Sequence, residues 1–224
     1  MTKSVEVRAG ERRRALTEAA LAVLVRDGMH ALSTRAVARE AGMNVAMIHY
    51  TFDSMERLVL AVVEHCVDQT RAVLACAPVE GLSLTEGVEC LAHAYWHHVV
   101  AEPALSRAQY ELTLHALTVG REEAARAQYD GYVEVTAEKL ALTCDATAEQ
   151  LHVLAGSCVG MIDGLVLQFL ATGDRERCEQ SLRVGIDLLA AYVRENEATY
   201  GAVANWPAPA SGRWPSPCSE VSNA

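Results

Sequence analysis

The chain has 224 residues, 51% of them hydrophobic and 21% charged, which suits a globular protein with a sizeable core and excludes a disordered or fibrous chain. A net charge of −10 argues against nucleic acid as a partner of the whole surface, but the charge is unevenly spread. Residues 1–60 carry nine Lys/Arg against seven Asp/Glu and residues 61–224 carry ten against twenty-two, so a mildly basic head precedes an acidic body.

The pattern reads helical almost throughout: only Pro78 and Pro103 fall before residue 201, and alternating strand-like runs are missing. Leu16, Ala20, Val23 and Leu24 make an apolar stripe on a helix expected from about Arg12 to Arg26, with Gly28 as its stop. Ser33 or Thr34 then caps a short helix that turns Val37, Ala38 and Ala41 inward. Gly42 ends it, and a second short helix starts near Asn44. A further helix begins at Asp53–Ser54, with Leu58, Val62, His65 and Cys66 on one face. Longer helices are expected near 84–101, 104–118, 121–143, 147–172 and 175–199, broken at Pro103, Gly120, Asp145 and Gly173–Asp174. Residues 201–224 hold Pro207, Pro209, Pro215 and Pro217 among Ser and Gly; this tail is expected to be disordered, with Trp206 and Trp214 as possible docking points.

No continuous apolar run reaches the roughly 18–20 residues of a membrane span, and the basic start MTKSVEVRAGERRR lacks the apolar stretch of a secretory signal. The expectation is a cytoplasmic protein with no membrane partner. The seven cysteines, at 66, 76, 90, 144, 158, 178 and 218, are odd in number and form no CxxC pair, so a disulfide framework and a zinc knuckle do not fit. Most sit in apolar helical stretches and read as small hydrophobes.

The informative stretch is STRAVAREAGMNVAMIHYTFDSMERL, from Ser33 to Leu58. A helix-turn-helix needs a small residue where its helices cross, a residue tolerant of positive φ four positions later, and an apolar lock six positions after that. Ala38, Gly42 and Ile48 meet these needs, and Val37, Met43, Val45 and Phe52 complete a small core.

The Ser-Thr-Arg-x-Val-Ala start, the Ala-Gly turn and the Ile-His-Tyr-x-Phe-x-Ser-x-x-x-Leu exit resemble the TetR family of bacterial repressors. The resemblance covers residues from about 10 to 200 and is most specific in the head. It implies an all-α chain: a three-helix DNA-binding head within residues 1–52, a helical regulatory, ligand-binding and dimerisation domain over 53–200, and the tail 201–224. It also implies a ligand-responsive repressor that binds a palindromic double-stranded DNA operator as a homodimer and is released by a small, largely apolar organic effector. The alternative is a helical binding or scaffolding module with little DNA affinity.

The recognition helix would run from Val45 to Tyr50, with Asn44, Ala46, Met47, His49 and Tyr50 on its start and outer face. Ala46 and Met47 suit thymine methyls, Asn44 or His49 can bond bases or phosphates, and Tyr50 suits a phosphate. Thr34 at a helix N-terminus and Arg35 beside it suit the backbone. Met55 stands where the family commonly has a phosphate-gripping Lys; Arg57 is two positions away, and Asp53 adds a negative charge. Weaker non-specific affinity and a shallower salt dependence are therefore expected.

In the body, Gly156, Gly160 and Gly164 recur every four residues along one helix. Glycine inside a helix costs up to about 1 kcal/mol relative to alanine, so three on one stripe need a reason. Close helix approach is favoured, at a dimer seam or in tight packing within the protomer, over room for a ligand. Val159, Asp163 and Leu167, with Leu182, Ile186 and Leu189 of the last helix, would extend a four-helix seam. Ligand candidates are His93, Trp96, His97, Tyr110, Glu111, Leu114, Tyr129, Cys158, Met161 and Ile162. His93 and His97 lie one turn apart but lack further partners at ligand spacing, so neither a metal nor a cofactor is expected. No nucleophile elbow, glycine-rich phosphate loop, HExxH or carboxylate pair in a recognisable setting is present, so no enzyme is expected.

Overall fold

The computed structural model describes residues 2–196 and Tyr200, with side chains from residue 7 onward. Residues 197–199, the end of the last expected helix, and the 201–224 tail with Trp206, Trp214 and Cys218 lie outside the described residues. The helices are α1 (Thr2–Asp27), α2 (Thr34–Glu40), α3 (Val45–Phe52), α4 (Met55–Ala75), α5 (Leu84–Ala101), α6 (Pro103–Thr118), α7 (Glu122–Leu140), α8 (Ala148–Thr172) and α9 (Arg175–Glu195), with a 3-10 turn at Met29–Ala31. No strand occurs among the described residues, and the fold is all-α.

The largest departure from the sequence reading is α1, which starts at Thr2 rather than Arg12. Its apolar stripe begins only at Leu16, and residues 7–11 are exposed, so periodicity carries no signal there. Pro103 opens α6 at a first-turn position, where a missing N–H costs nothing. A capping box on Thr147 and Gln150 starts α8, and Gly173 closes it in the left-handed region at φ 68°.

The residues group into two compact units: through Asp68 plus Glu102–Gly131, and Gln69–Ala101 plus Tyr132 onward. In the first, Leu16, Ala20 and Leu24 of α1 join Val37, Ala38, Ile48, Phe52, Leu58, Val62, Cys66, Ala108 and Leu112 in one buried cluster. In the second, α5, α8 and α9 pack together around Trp96, whose ring meets Phe169 edge-on at 5.6 Å and whose Nε1 donates to Glu179 Oε1 at 3.4 Å. Trp96 is 1% exposed.

Two features of α8 bear on the sequence reading. By length and composition α8 is apolar enough to cross a membrane, with mean hydropathy 1.8 over its best window. His152, Ser157, Asp163 and Gln168 break the continuous run but not the average. Within its unit α8 buries Leu151, Leu154, Ala155, Cys158, Ile162, Leu165 and Val166. Tight packing within the protomer also fails to explain Gly156, Gly160 and Gly164, since an added Cβ at any of them would meet nothing within 4 Å. Other glycines are the ones pressed by neighbours. A Cβ at Gly131 would stand 2.7 Å from Val67 Cγ2, and one at Gly87 would stand 2.9 Å from Thr143 Cγ2.

Val67 is β-branched and stiff, so Gly131→Ala is expected to cost about 1–3 kcal/mol by overpacking. Gly10→Ala, where nothing lies within 4 Å, is expected to gain up to about 1 kcal/mol of helix propensity. Urea unfolding midpoints of the two variants check both signs.

Candidate nucleic-acid interface and ligand cavity

The crossing of α2 and α3 is built from three local devices. Ser33, in extended backbone, accepts from the Ala36 N–H and starts α2. At the other end Gly42 takes φ 62°, with its N–H on the Arg39 carbonyl at 3.2 Å and the Met43 N–H on the Ala38 carbonyl at 2.8 Å. This pair of bonds is a Schellman closure, which reverses the chain in a single left-handed residue. No atom crowds Gly42, so the demand for glycine is conformational rather than steric. Asn44 then caps α3, its Oδ1 accepting from the Ala46 N–H at 2.9 Å.

Ile48 and Phe52 are each 1% exposed and seat α3 on the head core. The opposite side of the helix is open: Asn44, Ala46, His49 and Tyr50 are exposed, with Tyr50 at 74%, and Met47 is half-buried. Arg35 is exposed and Thr34 half-buried at the start of α2. The site candidates of the head thus share one edge of the α2–turn–α3 unit. One lone pair of the Asn44 side-chain oxygen is committed to the cap, and its amide N–H groups are the donors it can offer a ligand.

Sequence reasoning missed Arg12. Its Nε donates to Thr51 Oγ1 at 3.2 Å, and its guanidinium lies 5.1 Å from the Tyr50 ring centroid. Arg13 sits 4.8 Å from the Phe52 ring centroid and 3.6 Å from Glu64. The run Arg12–Arg13–Arg14 was legible as charge, but its register against α3 was not. The two departures in the head also gain structural reasons. Met55 is half-buried against the head core. Asp53 closes α3 at φ 59°, the one positive φ at a non-glycine among the described residues, with its N–H on the His49 carbonyl.

The second unit holds a cavity with about 520 Å³ of empty space, its open mouth included. Thr70 and Leu74 of α4 line it, with Val88, Leu91, Ala92 and Tyr95 of α5. Tyr132, Thr136 and Leu140 of α7 and Cys158, Val159, Ile162 and Asp163 of α8 complete the wall. Thr136 donates to the Tyr132 carbonyl at 2.8 Å, and burial pushes the Cys158 thiol up to about 12.

Of the expected ligand residues, only Cys158 and Ile162 line this cavity. Trp96 turns the other way, into the packing of α8 and α9. Met161 packs where a Cβ on Gly185 of α9 would stand. Tyr110, Glu111, Leu114 and Tyr129 belong to the first unit. There Glu111 accepts from the Met29 N–H at 2.9 Å, holding the 3-10 turn, and Leu114 is 60% exposed. His93 lies 4.0 Å from Glu89, and burial, with the charges of His97 and Arg183, holds its imidazole below the ordinary range. Neither His93 nor His97 lines the cavity, and no group of three metal-ligating side chains occurs among the described residues. The missed signal was Tyr132 with Thr136, and Val88 with Leu91, Ala92 and Tyr95, each at helical spacing on one face.

The dimer candidates divide as well. Leu182 and Ile186 are 0% and 6% exposed, so they are spent on the protomer's own core, and Val159 and Asp163 line the cavity. Leu189 and Gly156 are half-buried, while Gly160, Gly164 and Leu167 are exposed. On α9 the exposed apolar residues are instead Val184, Leu188 and Tyr192, four apart.

The profile described as bacterial regulatory proteins, tetR family, matches residues 16–62. The HTH-type nicotine-responsive transcriptional repressor HdnoR of Paenarthrobacter nicotinovorans is 25% identical over 168 residues, 72% of this chain and 84% of that protein. Among solved structures, multidrug binding protein EbrR complexed with ethidium is similar at TM-score 0.62 and 28% identity, over 80% of this chain and 98% of that one. A TetR transcriptional regulator from Rhodococcus sp. RHA1 shares the fold at TM-score 0.63 and 21% identity, over 82% and 97% of the two chains.

Ser33→Ala removes a side-chain cap and Gly42→Ala forces a Cβ into the left-handed region, and each is expected to cost about 1 kcal/mol. Thermal unfolding of the two variants, set beside an exposed control such as Arg39→Ala, measures this directly.

Proposed function

This chain belongs to the TetR family of bacterial regulatory proteins, and on that premise we propose that it is a ligand-responsive transcriptional repressor acting as a homodimer on a palindromic operator. The observation that carries the reading is the two-sidedness of α3. Ile48 and Phe52 fix one side to the head core, while Ala46, His49 and Tyr50 stand open on the other. A helix held so rigidly and exposed so fully suits the major groove, where each base pair shows its own donor, acceptor and methyl pattern. Ala46 and Met47 meet thymine methyls, His49 a base edge, and Tyr50 and Arg12 the phosphate backbone. Thr34 and Arg35 hold the flanking phosphates. The functional division is a DNA-binding segment over 1–52 and a regulatory segment over 53–200, in a cytoplasmic protein.

Two copies join through the outward faces of α8 and α9. Gly156, Gly160 and Gly164 leave a smooth stripe without a neighbour of its own, next to exposed Leu167 on the same helix and Val184, Leu188 and Tyr192 on α9. Small residues at such a stripe let a second helix approach closely, and a two-fold seam matches a two-fold operator. The effector occupies the α4–α5–α7–α8 cavity, whose walls are apolar with a few hydroxyls and one carboxylate, Asp163. The nicotine response named for the relative, and the ethidium complex of the structural neighbour, support a small organic molecule. Helix α4 supplies Leu58 and Val62 to the head core and Thr70 and Leu74 to the cavity wall. A ligand that fits one position of α4 better than another therefore biases the spacing of the two recognition helices. It does so only by its difference in affinity between the two states.

Tyr50→Ala is expected to lower affinity for the DNA upstream of the chain's own coding region at least tenfold, a loss of about 1.4 kcal/mol, while leaving the dimer intact. Gel shift and light scattering read the two effects, and full-affinity binding would refute the assigned recognition helix. Leu188→Arg is expected to give a monomer in sedimentation and to weaken operator binding; an unchanged dimer rejects the α8–α9 seam.

A further inference from the structure

We infer that Gln69 sets the balance between two positions of α4, as a positioning residue whose side-chain oxygen is unpaired in one of them; this rests on reading α4 as the helix that couples ligand to DNA. Among the described residues, Gln69 Oε1 is the one buried side-chain nitrogen or oxygen without a hydrogen-bond partner. The residue stands on α4 between Leu58 and Val62, which enter the head core, and Leu74, which lines the cavity. Its neighbour Thr70 lines the cavity as well, whereas Gln69 does not. A ligand in the cavity therefore does not account for the unpaired oxygen.

One turn earlier, α4 rests on α6 and α7 partly through hydrogen bonds. Cys66 is 0% exposed, and its thiol is hydrogen-bonded to Gln109 of α6. Gln109 and Thr113 of α6 and Gln128 of α7 are buried with it. Thr113 Oγ1 lies 3.0 Å from the Gln109 carbonyl and 2.8 Å from Gln128 Oε1, so its one hydroxyl proton serves one acceptor at a time. Val67 meets the bare backbone of α7 at Gly131, where a Cβ would stand 2.7 Å from its Cγ2. Buried hydrogen bonds of this kind can exchange partners over a small displacement that interdigitated apolar side chains resist.

A buried acceptor left unpaired has lost its water and gained no bond in return, and that cost falls only on the arrangement in which it is unpaired. A position of α4 that brings Gln69 Oε1 to a donor escapes the cost. Gln69 thus narrows the gap between the position described here and a second one, and the exchangeable seam at Cys66, Gln109, Thr113 and Gln128 makes the second one reachable. A narrow gap is what lets a ligand of modest differential affinity shift the equilibrium.

The test uses the full chain and two variants. Gln69→Met keeps an unbranched side chain and removes the acceptor; Thr113→Val keeps the shape and removes the hydroxyl donor of the seam. Each is assayed for its thermal midpoint, its affinity for the DNA upstream of its own coding region, and its affinity for N-phenyl-1-naphthylamine, a neutral dye that brightens in apolar sites. In Gln69→Met the midpoint is expected to rise, and the dye and DNA affinities to move in opposite senses, each by about threefold or more. Thr113→Val is expected to lower the midpoint and to reverse both shifts. A raised midpoint in Gln69→Met with both affinities unchanged overturns the inference, since the unpaired oxygen is then a fixed cost. A lowered midpoint or a chain that no longer folds also overturns it, because Oε1 then holds a partner such as water. Affinity shifts of the same sense in both variants reject it too. Absence of any competition between dye and DNA in the wild-type chain overturns the coupling reading itself, and the inference with it.

Discussion

The head depends on one conformational constraint: α2 must stop and reverse within a single residue so that α3 lies across it. Gly42 provides this at φ 62°, and the paired hydrogen bonds from Gly42 to Arg39 and from Met43 to Ala38 lock the reversal. Ala38, 3% exposed at the crossing, lets the two backbones approach. The consequence is that Ile48 and Phe52 reach the α1 core while Tyr50 stays in solvent. A Cβ at residue 42 would meet no atom, so its cost would appear as backbone strain that loosens the angle between the helices.

Around that constraint the polar groups divide their work. Ser33, Asn44, Ser54 and Asp53 close helix ends; Ser54 bonds the Arg57 N–H at 3.3 Å, and its hydroxyl holds the Glu56 carboxyl below the usual carboxylate range. Arg26 bonds both Asp27 and Glu40, which ties the end of α1 to the end of α2. Such exposed pairs add little stability individually, but they neutralise charge where the two helix ends meet. Arg12 does the opposite: it sits over the Tyr50 ring and places a cation at the exposed edge of α3.

In the second unit a single helix serves three environments. One side of α8 buries Leu151, Leu154, Leu165 and Val166, another presents Cys158, Val159, Ile162 and Asp163 to the cavity, and a third leaves Gly160, Gly164 and Leu167 open. Three apolar or small faces make the helix as hydrophobic as a membrane span by composition. The same feature lets it line a pocket with one face and leave a smooth apolar face exposed on another.

The sequence alone determined most helix breaks and the turn of the head, because these rest on short-range physics, but not the start of α1, which has no apolar stripe before Leu16. The cap at Ser33, the left-handed glycines Gly42 and Gly173, and the apolar lock at Ile48 act over a turn or two and leave their mark in spacing. Tertiary structure alone decided which face of each long helix met which neighbour. On α5, Tyr95 and Trp96 are consecutive and equally plausible as pocket residues, yet one lines the cavity and the other anchors the core. On α9, Leu182 and Ile186 are buried while Val184 and Leu188 are exposed, though all four are apolar. A helix with apolar residues on several faces carries no internal record of its rotation about its own axis; only the packed partners fix that angle.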